Sequence, residues 1–166
     1  LVLYLKDAFN WSPQLSSWAF VVVGIVAMIV QGGLIGPLVN KFGEWRLTLA
    51  GIGFVIAGCI LLTLANQDNS ISMVFSAVGV LAIGTGLVTP CLRALISRRL
   101  NASGQGVILG SLQGLQSLGT FLGASAAGFS YDLLGGKSPF IGTTFLLIMV
   151  IGLIAGTKVP KYKKHA

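Results

Sequence analysis

The sequence predicts an all-α integral membrane protein with five complete transmembrane helices and the end of a sixth. Three observations carry that prediction. Of the 166 residues, 54% are hydrophobic with glycine left out and only 9% are Asp, Glu, Lys or Arg, and the mean hydropathy is +0.88. A soluble domain carries roughly 25% charged residues, so a water-soluble globule is excluded. The apolar residues also fall in runs close to the ~20 residues a helix needs to cross ~30 Å of hydrocarbon. Finally, these runs are continuous and lack the alternation of a membrane barrel, whereas a helix satisfies its own backbone groups in lipid.

Taken in order, residues 1–5 are apolar but too short to span, and read as the end of a preceding helix followed by an interfacial loop through Pro13. Complete spans are expected over 17–38, 47–65, 71–96, 106–130 and 139–157, each near the length of a tilted membrane helix. Residues 158–166 form a basic tail that suits anionic lipid. The chain opens without an initiator Met or a basic region before an apolar core, so no signal peptide is expected, and it reads as a piece of a larger protein. Cys59 and Cys91 lie inside apolar runs as small hydrophobes, with no disulfide framework.

The net charge of +7 suggests nucleic acid until the bases are placed. Lys41, Arg46, Arg93, Arg98, Arg99, Lys158, Lys161, Lys163 and Lys164 fall on one side of the membrane, and Lys6 and Lys137 on the other. That asymmetry puts the C-terminus in the cytoplasm of a multi-pass cell-membrane protein. The charge is then topology, the bilayer is the partner, and nucleic acid is not.

The chain holds 23 glycines, about twice the ~7% of average usage. In the fourth span Gly106, Gly110 and Gly114 recur every four residues, and Gly119, Gly123 and Ala127 form a second row. Such stripes let helices approach closely, either as static packing or as a sliding surface. In the third span Pro90 has no amide to donate to the Gly86 carbonyl, which makes the Gly86–Pro90 turn a static kink or a hinge. None of the spans contains Asp, Glu or His, and the one His is His165 in the tail. Hydrolytic, metal and haem chemistry need such groups, so an enzyme, a metal site and a cofactor are not expected.

The most specific segment joins the first two spans: Gly36-Pro37-Leu38-Val39-Asn40-Lys41-Phe42-Gly43-Glu44-Trp45-Arg46. It is a tight turn in which Pro37 sits near a helix end, Asn40 can cap backbone amides and Gly43 can take a left-handed conformation. Here the chain resembles the major facilitator superfamily, whose signature between paired helices reads Gly-x-Leu-x-Asp-Arg/Lys-x-Gly-Arg/Lys. Gly36, Leu38, Lys41 and Gly43 match, while Asn40 replaces Asp and Glu44 replaces a base. Thr89 to Arg98, Gly104 to Gly119 and Tyr131 to Phe140 extend the likeness, and together they are similar to the tetracycline-efflux and multidrug proton antiporter branch.

The resemblance implies half of a twelve-helix bundle: the C-terminal half, from the end of helix seven to helix twelve, working with an N-terminal half of the same transporter. It implies proton-coupled efflux of small amphipathic compounds, with Gly36, Asn40, Lys41, Gly43, Glu44 and Arg46 latching the outward-open state. Arg93 has two readings, as a latch partner of Glu44 or as a base snorkelling to the interface. Because the span centres lack charge, substrate contact would fall to neutral groups: Gln113, Gln116 and Thr120 on one face of the fourth span, with Gln31 and Thr89 elsewhere. These also suit interhelical hydrogen bonds. Coupling carboxylates would lie in the other half. The alternative from another class is a non-transporting membrane scaffold.

Overall fold

The computed structural model describes residues 1–65, 70–97 and 105–156. Arg98, Arg99, Asp68, His165 and the basic tail lie outside the described residues. The described chain is helical: α1 (Val2–Phe9), α2 (Pro13–Ile29), a π-helical turn (Val30–Leu34), α3 (Ile35–Phe42), α4 (Glu44–Leu64), α5 (Ser70–Ser97), α6 (Gln105–Leu134) and α7 (Ser138–Gly156).

Local chemistry sets the boundaries. Asn10 ends α1 in the left-handed region at φ 52° and ψ 34°, a conformation Asn adopts more readily than most residues. Ser12 then accepts a hydrogen bond from the Leu15 amide at 3.2 Å, and Pro13 occupies the first helical position, a standard helix start. The helix therefore begins four residues before the expected span, at Ser12-Pro13.

The segment expected as one regular span contains a break. The Ile35 amide donates to the Val30 carbonyl, one residue further back than in an α-helix. Gly32 and Gly33 weaken the helix here, and Pro37 has no amide to offer the Gly33 carbonyl. A ladder loosened on both sides accommodates the extra residue of a π-turn.

Helices α4 and α5 are the most closely packed pair; α2 and the π-turn lie against α5, and α7 lies against α4. Their contact depends on small residues. A Cβ placed on Gly84 would come within 2.7 Å of the Gly51 carbonyl oxygen and 2.8 Å of the Val55 amide nitrogen, and one on Gly58 would meet the Leu81 side chain at 2.5 Å. On α6 the outcome is reversed. A Cβ on Gly106, Gly110, Gly114, Gly119 or Gly123 would meet nothing within 4 Å, and Val107, Leu115, Phe121 and Phe129 are exposed around it. Among the described residues the close approach expected for the α6 stripe occurs instead between α4 and α5.

Among the described residues, three helical stretches combine the length and apolarity needed to cross a membrane: Pro13–Phe42, Glu44–Leu64 and Ile71–Ser97. Helix α6 has 30 residues but is diluted by Gly, Ser and Gln. In α7 the described apolar stretch is the shorter Ser138–Ile154. Of the five complete spans expected from the sequence, three meet both conditions among the described residues.

A cluster of buried residues gathers at one end of the bundle. Tyr4, Leu5, Trp11, Leu62, Ala65 and Val74 cluster there with Ala19, Ala77 and Val78. The Tyr4 ring meets Phe9 and Phe140 edge-on at 5.5 and 5.1 Å, a favourable aromatic geometry, and its hydroxyl donates to the Leu62 carbonyl at 3.1 Å. Lys137 Nζ donates to the Ala65 carbonyl at 3.5 Å. These two bonds serve carbonyls at the C-terminal end of α4, which have no partner within the helix. The Tyr131 hydroxyl donates to Asp7 Oδ2 at 2.6 Å, and the Asp7 carboxylate is the main cause that pushes the Tyr131 phenol up to about 12. Gly135, at φ 89°, turns the chain into α7 beside this cluster.

Candidate functional site

The other end of the bundle holds the motif and the polar residues. Between α3 and α4 the turn is a single residue, Gly43, at φ 79° and ψ 154°. Its amide donates to the Val39 carbonyl at 2.8 Å, and its carbonyl accepts from Leu47 at 3.3 Å. The positive φ expected at Gly43 is present, but in a region beyond the left-handed helical one that is essentially closed to other residues. Asn40 does not cap α4, because it lies inside α3, and the cap position belongs to Gly43 with no side-chain hydrogen bond.

Replacing Gly43 by Ala is expected to cost about 1–3 kcal/mol, since the strain is in the backbone and nothing crowds the new methyl group. Gly36→Ala, with equally open space and helical geometry, is the matched control. Thermal midpoints in detergent check this: equal midpoints for the two variants would remove Gly43 as a conformational requirement.

The motif residues separate by environment. Glu44 is only 9% exposed, and its backbone carbonyl accepts from Thr48 Oγ1 at 2.9 Å. Lys41 and Arg46 are exposed, with Lys41 Nζ 5.4 Å from the centre of the neighbouring Phe42 ring. Gly36 and Asn40, with Ile35 and Val39, face Pro90, Cys91 and Ala94 across a cleft of about 270 Å³. The motif and the Pro90 region of α5 thus share one surface. One turn earlier, a Cβ on Gly86 would touch Val30 at 3.2 Å and reach Gln31 Nε2 at 3.9 Å, so the π-turn rests on α5 at Gly86.

A second, larger cleft opens between α5 and α6. It measures about 450 Å³ and is lined by Arg93, Ala94, Ser97, Leu109, Leu112 and Gln113. Arg93 Nη2 donates to Gln113 Oε1 at 2.8 Å and to Gln116 Oε1 at 3.0 Å. A residue expected to latch or to snorkel is therefore joined to two residues expected along a substrate path. Thr120 lies one turn further along α6, where its hydroxyl donates to the Gln116 backbone carbonyl at 2.9 Å. Neither Gln31 nor Thr89 lines this cleft. The sequence reading missed the π-turn, for which Gly32-Gly33 and Pro37 were the available signal, and the Tyr4, Asp7 and Lys137 contacts, which join residues too distant in sequence to leave one.

The sequence model of the Major Facilitator Superfamily matches residues 1–165 of this chain. Over 122 residues the chain is 33% identical to the tetracycline resistance protein, class C, of Escherichia coli, which covers 74% of this chain and 30% of that protein. It is 29% identical over 163 residues to multidrug resistance protein 2 of Bacillus subtilis (strain 168), covering 98% of this chain and 39% of the relative. Over 129 residues it is 30% identical to the hippocampus abundant transcript 1 protein of Homo sapiens, covering 78% of this chain and 26% of that one. No solved structure matches. The chain spans about a third of the length of these curated relatives. A family match along nearly the whole chain, over an all-helical fold with three membrane-length apolar stretches, makes this a multi-pass membrane chain that belongs to the Major Facilitator Superfamily.

Proposed function

We propose that this chain is the C-terminal half of a proton-coupled exporter of small amphipathic, drug-like compounds, with five spans and a cytoplasmic C-terminus. The observation that carries the reading is the family match over residues 1–165, with tetracycline and multidrug resistance proteins among the relatives. The α5–α6 cleft supports it by adding a mostly apolar lining with a few convergent polar groups, the usual make-up of a small-molecule site. The polar groups act by holding and orienting substrate, and no covalent chemistry is required of them.

In this reading α6 and the end of α5 supply the substrate contacts, through Gln113, Gln116 and Arg93, with Thr120, Thr89 and Gln31 further along the path. Gly36, Asn40, Lys41, Gly43, Glu44 and Arg46 form the latch. It is a weaker one than an Asp at position 40 would give, because Asn offers a neutral hydrogen bond where a carboxylate offers a charge-assisted one. Pro90 and Gly86 sit where the latch surface and the π-turn both rest on α5, and act as the hinge between them. The coupling carboxylates belong to the N-terminal half.

The test is reconstitution of the transporter, with this chain in its natural polypeptide, under an imposed pH gradient. Drug movement with proton counter-movement is the expected result. Absence of coupled flux across a broad panel of amphipathic compounds would overturn the reading in favour of a non-transporting scaffold.

A further inference from the structure

We propose that the α5–α6 cleft binds the anionic group of an amphipathic molecule, a carboxylate or phosphate, on the guanidinium of Arg93. The proposal deepens the function above and rests on it for the route by which such a molecule arrives.

The first support is where Arg93 is held. A base near a helix end reaches the interface by extending toward that end. Arg93 instead turns across to Gln113 and Gln116 on α6. The guanidinium is bonded to both of these glutamines. It is thus tied to a second helix instead of being left to reach the interface. Charged side chains within membrane helices are kept where they pair or line a path.

The second support is the chemistry of the tie. Both bonds end on neutral amide oxygens, which fix the plane of the guanidinium without cancelling its charge. Both also leave from Nη2, the nitrogen shared by the two bidentate edges of the group, so Nε and Nη1 remain as separate single donors for the oxygens of a carboxylate or phosphate. The third is the lining. Ala94, Leu109 and Leu112 stand beside Arg93 in about 450 Å³, within the usual range of small-molecule sites. One cation, oriented by two amides against an apolar wall, matches a molecule with one anionic end and an apolar body.

Two sources offer that chemistry, a free amphipathic anion and an anionic lipid headgroup, and the experiment separates them. The protein with this chain in its natural polypeptide is placed in phosphatidylcholine nanodiscs, and 2-naphthoate and its neutral analogue 2-naphthamide are titrated calorimetrically. Arg93→Gln is expected to weaken naphthoate about tenfold or more, a loss of at least 1.4 kcal/mol, while naphthamide is unmoved. In a second arm, spin-labelled phosphatidylglycerol is added. If the lipid is the source, it is immobilised by the wild type, displaces naphthoate and is released in Arg93→Gln.

Naphthoate and phosphatidylglycerol binding that are both indifferent to Arg93 would overturn the proposal. Where Arg93→Gln fails to fold, the Gln113→Leu, Gln116→Leu double variant keeps the charge but removes the two bonds that orient the guanidinium. Loss of the naphthoate preference is then expected, and an unaltered preference overturns the site. Binding needs no flux, so the two proposals fail separately. Arg93-dependent binding without coupled flux removes the transport function alone, and coupled flux with Arg93-independent binding removes the site alone.

Discussion

Gly84→Ala lowers the thermal midpoint of the protein in detergent by about 3–10 °C, the shift expected for a loss of about 1–3 kcal/mol in a chain of this size. Two effects compete. Alanine is the better helix former by up to about 1 kcal/mol, which favours the variant. Against it, the new methyl carbon would stand 2.7 Å from the Gly51 oxygen and 2.8 Å from the Val55 nitrogen. Both are backbone atoms and cannot rotate away, so α4 and α5 must separate by several tenths of an ångström along a close-packed interface. The clash therefore wins. Gly110→Ala isolates the other effect, because its methyl group meets nothing within 4 Å, and its midpoint is expected to stay level or rise. Equal midpoints for the two variants would show that α4 and α5 do not cross at these glycines.

Tyr4→Ala costs about 3–5 kcal/mol, the range for deleting a buried aromatic ring, whereas Tyr4→Phe costs about 1 kcal/mol for one hydrogen bond. The ring is 2% exposed and is held by Phe9 and Phe140. Only its hydroxyl serves the Leu62 carbonyl. Unfolding in mixed micelles of rising dodecyl sulfate fraction, followed by circular dichroism, separates the two contributions. Comparable losses in the two variants would mean that the hydrogen bond, and not the ring, holds α1 to the end of α4.

Much of the helical fold was legible because a membrane leaves little freedom: a long apolar run has to satisfy its backbone within itself. The turn at Gly43 was legible for a similar reason, since glycine is the residue that tolerates its backbone angles. Less could be read where the outcome depends on which helix meets which. The glycine rows of α6 and the glycines of α4 and α5 look alike in sequence, yet only Gly51, Gly58 and Gly84 face a neighbour closely enough to exclude a side chain. Arg93 shows the same limit at the site. Its charge and its place near a helix end suggested a latch partner or an interfacial base, whereas its partners in the structure, Gln113 and Gln116, are set by how α6 crosses α5. The π-turn lay between these cases, with its causes at Gly32, Gly33 and Pro37 visible and its position not.

The unequal anchoring of α6 has a mechanical consequence. Near one end the helix is pinned by Tyr131 to Asp7 and by the turn into α7; near the other, Arg93 holds it through two hydrogen bonds. Such a rod is a lever with its fulcrum at Tyr131. Gln113 lies about 27 Å along the axis from that fulcrum at 1.5 Å per residue. A tilt of about 5° carries it about 2.4 Å sideways over that arm, enough to part bonds of 2.8 and 3.0 Å. Small rotations at the pinned end are thus amplified into making or breaking the two Arg93 bonds, while the α4–α5 pair need not move.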